Sequence, residues 1–233
     1  MYRKELNDRN PLRLFENSIN GGLGQGNIGV VVARHGIGKT AFLVGISIDE
    51  AMRGRKALHV SLDKAVDHLR AFYDEIFMDL ARSANLEDVP AERLEMERNH
   101  TIHTYAGNSF TIAKLRQSID FLKDNAHFDP ACLIIQGFDF EKATVEDLQA
   151  FRQLAKDYNV ELWMSAVTHR GGAANELGIP EPLGKLAGEI AVIVQMTDNK
   201  DGVHLSLLKD HDNPKVAALT LALDPETMLL VKK

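Results

Sequence analysis

A chain of 233 residues that is 45% hydrophobic and 26% charged contains enough apolar material for one full α/β domain. Its net charge of −6 argues against a surface built mainly to hold nucleic acid, and no apolar run approaches membrane-spanning length. The polar N-terminus has no secretory signal, and the single cysteine, Cys132, cannot form an internal disulfide. We therefore expect a cytoplasmic protein with no membrane partner, in which Cys132 is a core residue and not a reactive thiol.

The first element in chain order is a lead segment formed by residues 1–19. Its apolar residues Leu12, Leu14 and Phe15 form one amphipathic stretch, which more often packs on a domain edge than serves as a module of its own. We therefore predict two parts, the lead segment and one globular domain of residues 20–233.

The strongest motif of the chain lies between a predicted strand and a predicted helix. A glycine-dense turn, residues 20–27, leads into the apolar run of residues 28–33, which is typical of a central parallel strand buried on both faces. The sequence ARHGIGKT, residues 33–40, follows directly, and helical spacing continues over residues 39–52 before a glycine. This order of strand, glycine-rich loop and helix is the context that a phosphate-binding loop requires.

The chemistry of the pattern G-x-x-x-x-G-K-[ST] explains its residue types. Small residues let consecutive N–H groups turn toward phosphate oxygens, a lysine reaches the outer phosphates, and a hydroxyl binds Mg²⁺. Ala33 stands in the place of the first glycine of this pattern. The alternative, a glycine-rich turn that binds nothing, is disfavoured by the flanking strand and helix. The candidate cofactor-binding residues of this stretch are Ala33, Arg34, His35, Gly36, Ile37, Gly38, Lys39, Thr40 and Ala41.

Strands and helices continue to alternate after this motif. The predicted strands cover residues 56–61, 100–105, part of 128–140, and 160–166, and the predicted helices cover residues 64–84, 111–123 and 144–158. Residues 85–99 are acidic and contain Pro90, which predicts an exposed connecting segment. A long loop, residues 169–185, precedes strand-like runs at residues 190–196, 203–209, 217–223 and 228–231. The fold class is therefore α/β, with a mostly parallel sheet flanked by helices and antiparallel strands on its C-terminal side.

The order of several sequence blocks resembles the ATPase core of the RecA/KaiC/DnaB-type superfamily over roughly residues 14–231. The blocks are GGLGQGNIGVVVARHGIGKTAF, ALHVSLD, ACLIIQGFD, GKLAGEIAVIVQM and LLKDHDNP. The resemblance is closest to KaiC-like proteins and to the core of hexameric replicative helicases; with no helicase collar domain before the core, we do not expect a complete replicative helicase. It implies a RecA-like P-loop NTPase fold with a twisted sheet, ATP and Mg²⁺ as cofactors, and a homo-oligomer in the form of a ring or a head-to-tail assembly.

Carried over to this sequence, the family pattern changes at the positions nearest the Mg²⁺ ion. The family strand that matches residues 132–135 ends in an Asp that orients the metal shell, but here that position is Gln136, a neutral amide in the nucleotide-binding set. Asp139 is a candidate metal residue that would act through a water, although a turn-capping Asp is the favoured alternative. Thr40 is the other candidate metal ligand.

Catalytic and sensor positions also differ from the family pattern. The family's catalytic Glu corresponds to Asp63, a carboxylate that is shorter by one methylene and would need to move inward to orient a water. Asp63 and Lys39 are the candidate catalytic residues. The polar sensor after the fifth strand corresponds to Val167, which leaves residues 168–170 as neighbours that either take over its role or do not.

Basic residues at two places are candidates for contacts with nucleotide across a subunit interface. In the family, a strand ends in a basic pair that reaches the neighbouring subunit's nucleotide, and Lys209 and His211 match that pair. Residues two apart on a strand share a face, so both side chains are expected to point in one direction. The alternative is a solvated strand end. Arg34 and His35, at the tip of the phosphate loop, either face solvent or contact phosphate or a neighbouring subunit.

Three functions stay open at this point. The leading hypothesis is an ATP-binding protein whose slow or conditional hydrolysis acts as a switch or an assembly signal. The second is a pseudo-ATPase scaffold that acts through protein partners, which Gln136 and Val167 favour because each lost part slows phosphoryl transfer. The third is a nucleic-acid motor or loader. The acidic balance disfavours it, and so does the loop of residues 169–185, which has only Arg170 and Lys185 as cations and no aromatic residue.

Overall fold

A computed structural model of the protein describes residues 1–19, 21–169, 173–200 and 202–233. The described α-helices are α1 (Arg3–Arg9), α2 (Leu12–Ser18), α3 (Lys39–Met52), α4 (Val66–Ser83), α5 (Val89–Asn99), α6 (Ile112–Ala126) and α7 (Val145–Asp157). The described strands are β1 (Ile28–Ala33), β2 (Ala57–Ser61), β3 (His100–Thr104), β4 (Cys132–Gln136), β5 (Glu161–Val167), β6 (Val192–Asn199), β7 (Gly202–Asp210), β8 (Leu221–Leu223) and β9 (Leu230–Lys232). Two short 3₁₀ helices cover Gly107–Ser109 and Gly184–Glu189. Within the described ranges, no helix combines the length and the apolar character needed to cross a membrane.

All nine described strands lie in one sheet with the order β3-β2-β4-β5-β1-β6-β7-β8-β9. The strands from β3 to β6 in this order run parallel to one another. Each of the remaining pairs, from β6–β7 to β8–β9, is antiparallel. The predicted α/β class, with a mostly parallel sheet and antiparallel C-terminal strands, is therefore confirmed. Because parallel strands end at the same edge of a sheet, the loops after β1, β2, β4 and β5 meet at one edge.

The middle of the sheet is held by β1, whose six residues are all buried, as its apolar run predicts. One position there requires glycine for a packing reason, because a Cβ on Gly29 would lie 2.6 Å from the ring of Trp163 on the neighbouring strand β5. Apolar residues of α3 and α4 cover one face of the sheet, and those of α6 and α7 cover the other. The strand that leads into the phosphate loop is therefore fixed between two cores.

The N-terminal segment folds as two helices, α1 and α2, that pack beside α3. Leu12 and Phe15 are buried there, and the Phe15 ring lies 5.7 Å from that of Phe42 on α3. Leu14, which belongs to the same amphipathic stretch, is 38% exposed, because helical spacing turns it away from Phe15. The segment is therefore anchored on the helix that begins at the phosphate loop.

One predicted connection is wrong. Residues 85–99 are predicted as an exposed segment, but α5 forms over most of them. Pro90 does not interrupt this helix, because it lies in the first turn, where a backbone N–H has no helical partner. The Asp88 side chain caps the same turn by accepting a hydrogen bond from the Ala91 N–H at 3.4 Å. Met96 is 1% exposed, so the helix contributes to the core.

The bounds of most other elements agree with the prediction to within a few residues. The helix predicted over residues 39–52 coincides with α3, whereas the strand predicted over residues 217–223 is reduced to β8, the part that pairs with β7. In the long loop, Ala174 and Pro180 form an isolated bridge. Four residues of the predicted glycine-dense turn and long loop, Asn20, Arg170, Gly171 and Gly172, lie outside the described residues.

Candidate functional site

The loop between β1 and α3 has the geometry predicted for a phosphate-binding loop. Gly36 and Gly38 have φ angles of +78° and +102°, a left-handed conformation that favours glycine. A Cβ on Gly38 would also lie 2.9 Å from the Leu223 side chain of β8. Gly38 directly precedes α3, so the free N–H groups and the positive dipole end of this helix face the loop. The arrangement is suited to an anionic group.

Lys39 is folded over the loop that it follows. Its Nζ donates hydrogen bonds to the backbone oxygens of Ala33 and Arg34, each at 2.9 Å. Burial lowers the pKa of Lys39 from 10.5 to about 8, and the nearby carboxylate of Asp63 offsets part of this shift. At neutral pH the amino group is therefore mostly protonated and lies where a phosphate oxygen could replace the two carbonyl acceptors.

Thr40 contacts the residue that stands in place of the family's metal-orienting Asp. Gln136 Nε2 donates to Thr40 Oγ1 at 3.1 Å, and Gln136 is 3% exposed at the end of β4. The expectation that the end of β4 lies beside the phosphate loop is confirmed. Because the amide donates here, the Thr40 hydroxyl keeps its own proton for another acceptor, whereas a carboxylate would accept that proton.

These residues open on a cavity of about 570 Å³, within the range of small-molecule sites. The cavity lies at the edge where β1, β2, β4 and β5 end. Most of the predicted site lines it: His35, Gly36, Gly38, Lys39, Thr40, Ala41, Asp63, Gln136 and Asp139. The predicted residues outside the lining are Ala33, Arg34, Ile37, Lys209 and His211. Phe72 and Met228 line the cavity as well, although the sequence offers no signal for either beyond an apolar side chain.

Asp63 lies in the loop after β2 and lines the cavity. The Ser61 hydroxyl donates to Asp63 Oδ1 at 3.2 Å. Gly137 has a φ of +83°, and a Cβ on it would lie 2.7 Å from Asp63 Cγ, so this glycine makes room for the carboxylate next to Gln136. Gly137 is missing from the predicted site. Its signal in the sequence is a glycine that directly follows the polar end of a buried strand.

Asp139 lines the cavity, but its carboxylate is engaged in a turn. Its Oδ2 lies 2.8 Å from Lys142 Nζ, and its Oδ1 accepts a hydrogen bond from the Glu141 N–H at 3.2 Å. The hydrogen bond from Lys142 is the largest cause of the lowered pKa of Asp139. These contacts fit the turn-capping alternative, and a role for Asp139 toward a metal stays a prediction.

The sensor position is apolar. Val167 lines the cavity at the end of β5. Its polar neighbours make contacts elsewhere, because the Thr168 hydroxyl donates to the backbone oxygen of Glu181 at 3.3 Å, and His169 Nε2 lies 3.6 Å from Glu141 Oε1. Of these two neighbours, His169 lines the cavity and could reach a ligand there.

Lys209 binds to its own chain. Its Nζ donates to the backbone oxygens of Ala187 and Ile190, each at 2.6 Å. Ala187 belongs to the 3₁₀ helix of Gly184–Glu189 that follows the long loop, so the lysine ties the end of that helix to β7. Partial burial lowers the pKa of Lys209. A role across a subunit interface stays a prediction, and it would require these two bonds to break.

His211 also contacts its own chain, and in a different direction from Lys209. Its Nδ1 lies 2.8 Å from Asp210 Oδ1, and its Nε2 lies 3.0 Å from the Leu23 backbone oxygen. The two basic residues are predicted to share one strand face, but β7 ends at Asp210 and the chain turns at His211, which has a φ of +50°. Burial acts to lower the pKa of His211, but hydrogen bonds with Asp210 and Leu23 outweigh it and raise the pKa overall.

We expect Lys209→Ala to lower the free energy of unfolding by about 2 kcal/mol, because two backbone oxygens lose a charged donor. Urea denaturation of both proteins measures the difference. Lys215→Ala removes an exposed lysine from the turn that follows and is the matched control, with an expected change below about 0.5 kcal/mol. Equal unfolding free energies for Lys209→Ala and wild type would contradict the intrachain role.

Comparison with known proteins bears on the fold. The sequence matches no protein-family model and no curated protein. Among solved structures, the chain is similar to the ATPase domain of a DnaB-family helicase, with a TM-score of 0.68 at 15% sequence identity. The match covers 94% of this chain and 89% of that domain, so the likeness extends over nearly the whole fold. The chain therefore has the RecA/DnaB-like fold of a P-loop ATPase core.

Proposed function

We propose that the protein binds ATP with Mg²⁺ and hydrolyses it slowly or conditionally, so that the nucleotide state acts as a switch or an assembly signal. The observation that carries this proposal is the position of Lys39 and Thr40, which lie at the N-terminus of α3 in the wall of one cavity. Helix N–H groups and a lysine together favour the phosphates of a nucleotide. The fold shared with the helicase ATPase domain supports the same class of ligand.

The oxygen atoms of the cavity fit Mg²⁺, which prefers hard oxygen ligands and retains several waters. Thr40 Oγ1 accepts one hydrogen bond from Gln136, and its second lone pair can bind a metal ion. Asp63 contributes a carboxylate whose charge already acts on Lys39. We assign Thr40 to holding the ion and Asp63 to orienting the attacking water. The bound ion would supply charge stabilisation at the outer phosphates.

Slow hydrolysis follows from the charges of the lining residues. Gln136 is neutral and Val167 is apolar at the two positions where the family pattern has an Asp and a polar sensor. Phosphoryl transfer depends on positioning and on charge stabilisation, so each of these changes raises the barrier. Lys39 and Asp63 are the charged groups that we assign to the reaction.

A second candidate function is a pseudo-ATPase scaffold that acts through protein partners. The hydrogen bond from the Gln136 amide to Thr40 favours it, because a neutral donor lies where a carboxylate would support the metal. Both candidates predict a bound nucleotide or a shape that depends on one, and turnover separates them.

Calorimetric titration with ATP and ADP, with and without Mg²⁺, tests the proposal together with a phosphate-release assay. We expect both nucleotides to bind, Mg²⁺ to strengthen ATP binding, and turnover to fall well below the roughly 10 s⁻¹ median of enzymes. Turnover at or above that rate would contradict slow hydrolysis, and binding without turnover would select the scaffold. Failure of both nucleotides to bind would overturn the proposal.

Assembly is tested separately, by sedimentation of wild type and Lys209→Ala with and without ATP. A ring or a head-to-tail oligomer that forms with ATP would support the assembly role. The experiment is run at two pH values, one on each side of the His211 titration, whose pKa is raised above 6.5. A monomer under every condition would remove assembly from the proposal and leave the switch.

The pKa of Lys39 predicts how nucleotide affinity depends on pH. Because the pKa is lowered to about 8 in the free protein, Lys39 loses its proton as the pH rises through that value, and a phosphate contact then requires the proton to return. We expect ATP affinity to fall above about pH 8, with uptake of up to one proton on binding. Calorimetry at pH 8.5 in two buffers of different ionisation enthalpy measures this uptake. Lys39→Arg, which stays charged, is the control and should show no uptake.

A further inference from the structure

A row of polar side chains lies buried between the sheet and helices α3 and α4. His59, in the middle of β2, is 0% exposed, and Tyr73 on α4 is 2% exposed. His59 Nδ1 lies 3.0 Å from the Tyr73 hydroxyl. Polar groups at such depth normally have a structural or chemical reason, because leaving one without a partner costs about 1–3 kcal/mol. The row begins away from the cavity and runs toward it.

The register of the sheet places Gln136 next in this row. His59 is paired with Ile134, and Ser61 with Gln136, so His59 and Gln136 lie on the same face of neighbouring strands, two residues apart. Gln136 Oε1 and His59 Nε2 are both buried, and neither has a hydrogen-bond partner among the described residues. The Gln136 side chain nevertheless interacts with His59, since it acts to raise the pKa of that ring. The two atoms are thus the natural partners of each other.

His59 carries one proton on its ring. Burial lowers the pKa of His59 to about 3, which outweighs the opposite effect of Gln136, and the ring is neutral. Burial also raises the pKa of Tyr73, which keeps its hydroxyl proton. If that hydroxyl donates to Nδ1, the single ring proton lies on Nε2 and faces Gln136 Oε1. The amide N–H of Gln136 then faces Thr40, as the 3.1 Å hydrogen bond shows.

We propose that His59, held as the Nε2–H tautomer by Tyr73, is a positioning residue that fixes the Gln136 amide and, through it, the Thr40 hydroxyl at the metal side of the phosphate loop. Donation runs in one direction, from Tyr73 through His59 and Gln136 to Thr40. An uncharged chain of hydrogen bonds thereby takes the place of the carboxylate that the family pattern has at the end of β4. The ligand to which it matters rests on the proposed function, whereas the chain itself does not.

The first test needs no nucleotide. Long-range ¹H–¹⁵N correlation spectra of the wild-type protein report which ring nitrogen of His59 carries the proton. We expect the Nε2–H form alone, unchanged between about pH 5.5 and 8, and a mixture of both tautomers in Tyr73→Phe. An Nδ1–H ring, or one that gains a proton in this range, would overturn the proposal even if ATP binds. If ATP does not bind, this spectrum still decides the inference, and only the proposed function fails.

The second test measures how much Mg²⁺ strengthens ATP binding in calorimetric titrations. We expect that factor to fall about fivefold in His59→Leu and about twofold to threefold in Tyr73→Phe, with little change in affinity without Mg²⁺. Tyr73→Phe keeps the ring and its packing, so it remains informative if His59→Leu does not fold. Ile134→Val, the register partner of His59, is the control for a core change that leaves the polar chain intact, and the factor should be unchanged. An unchanged Mg²⁺ factor in Tyr73→Phe and His59→Leu would show a merely structural role.

Discussion

Replacement of Lys39 by alanine should weaken ATP binding on the order of 100-fold, since a charged hydrogen bond contributes about 1.5–3 kcal/mol in a preorganised site. The amino group is already held over the loop by the backbone oxygens of Ala33 and Arg34, so it needs little rearrangement to meet a phosphate. Calorimetric titration with ATP at neutral pH measures the effect. Affinity equal to that of wild type would contradict the assignment of Lys39.

Two controls make the Lys39 result specific to the site. Lys4→Ala removes an exposed lysine on α1, far from the cavity lining, and should leave affinity unchanged within about twofold. Thermal unfolding of Lys39→Ala shows whether the loop is still folded, because the substitution also removes two intrachain hydrogen bonds. Loss of binding together with loss of the folded state would require Lys39→Met, which keeps the aliphatic stem.

Replacement of Gln136 by glutamate should increase the factor by which Mg²⁺ strengthens ATP binding at least about tenfold, equivalent to about 1.4 kcal/mol. The two side chains have the same shape, so the change adds a charge next to Thr40 and reverses its hydrogen bond, with the hydroxyl as donor. Without Mg²⁺, the new carboxylate should repel the phosphates, and ATP affinity should decrease. Calorimetric titrations with and without Mg²⁺ give both quantities.

The matched control for Gln136→Glu is a carboxylate change at the rim of the same cavity. Asp139→Asn removes a charge that is engaged with Lys142, and the Mg²⁺ factor should stay within about twofold of wild type. Adding Asp63→Glu to Gln136→Glu restores both carboxylates of the family pattern, and we expect turnover to rise further. A Mg²⁺ factor that stays constant in Gln136→Glu would show that the charge at this position does not reach the metal.

The parts of the site that the sequence predicts are those in which a short stretch defines its own geometry. The phosphate loop needs two left-handed glycines, a strand before it and a helix after it, and all of these lie within residues 28–52. The same locality explains why α3 coincides with its predicted bounds. The prediction for residues 85–99 is wrong for a related reason, because a proline in a first turn and a proline in a loop look alike until the capping residue is known.

The remaining parts depend on contacts between distant segments, which a pattern of residue types does not define. His59 reads as one residue of an apolar strand, and its pairing with Tyr73 requires the packing of α4 on β2. Lys209 reads as an exposed strand end, but the 3₁₀ helix that ends near it supplies two acceptors. Gly137 makes room for Asp63 only because β2 and β4 are neighbours in the sheet.

The intrachain bonds of Lys209 and His211 have a consequence for any oligomer that uses these residues. Their three contacts with the Ala187, Ile190 and Leu23 oxygens contribute about 1 kcal/mol each, so a subunit with both side chains released is a minor conformation. Association through that conformation would be weakened on the order of 100-fold relative to a preorganised pair. A nucleotide on the neighbouring subunit would have to supply that difference, which would make the complex dependent on ligand and quick to separate once the ligand leaves.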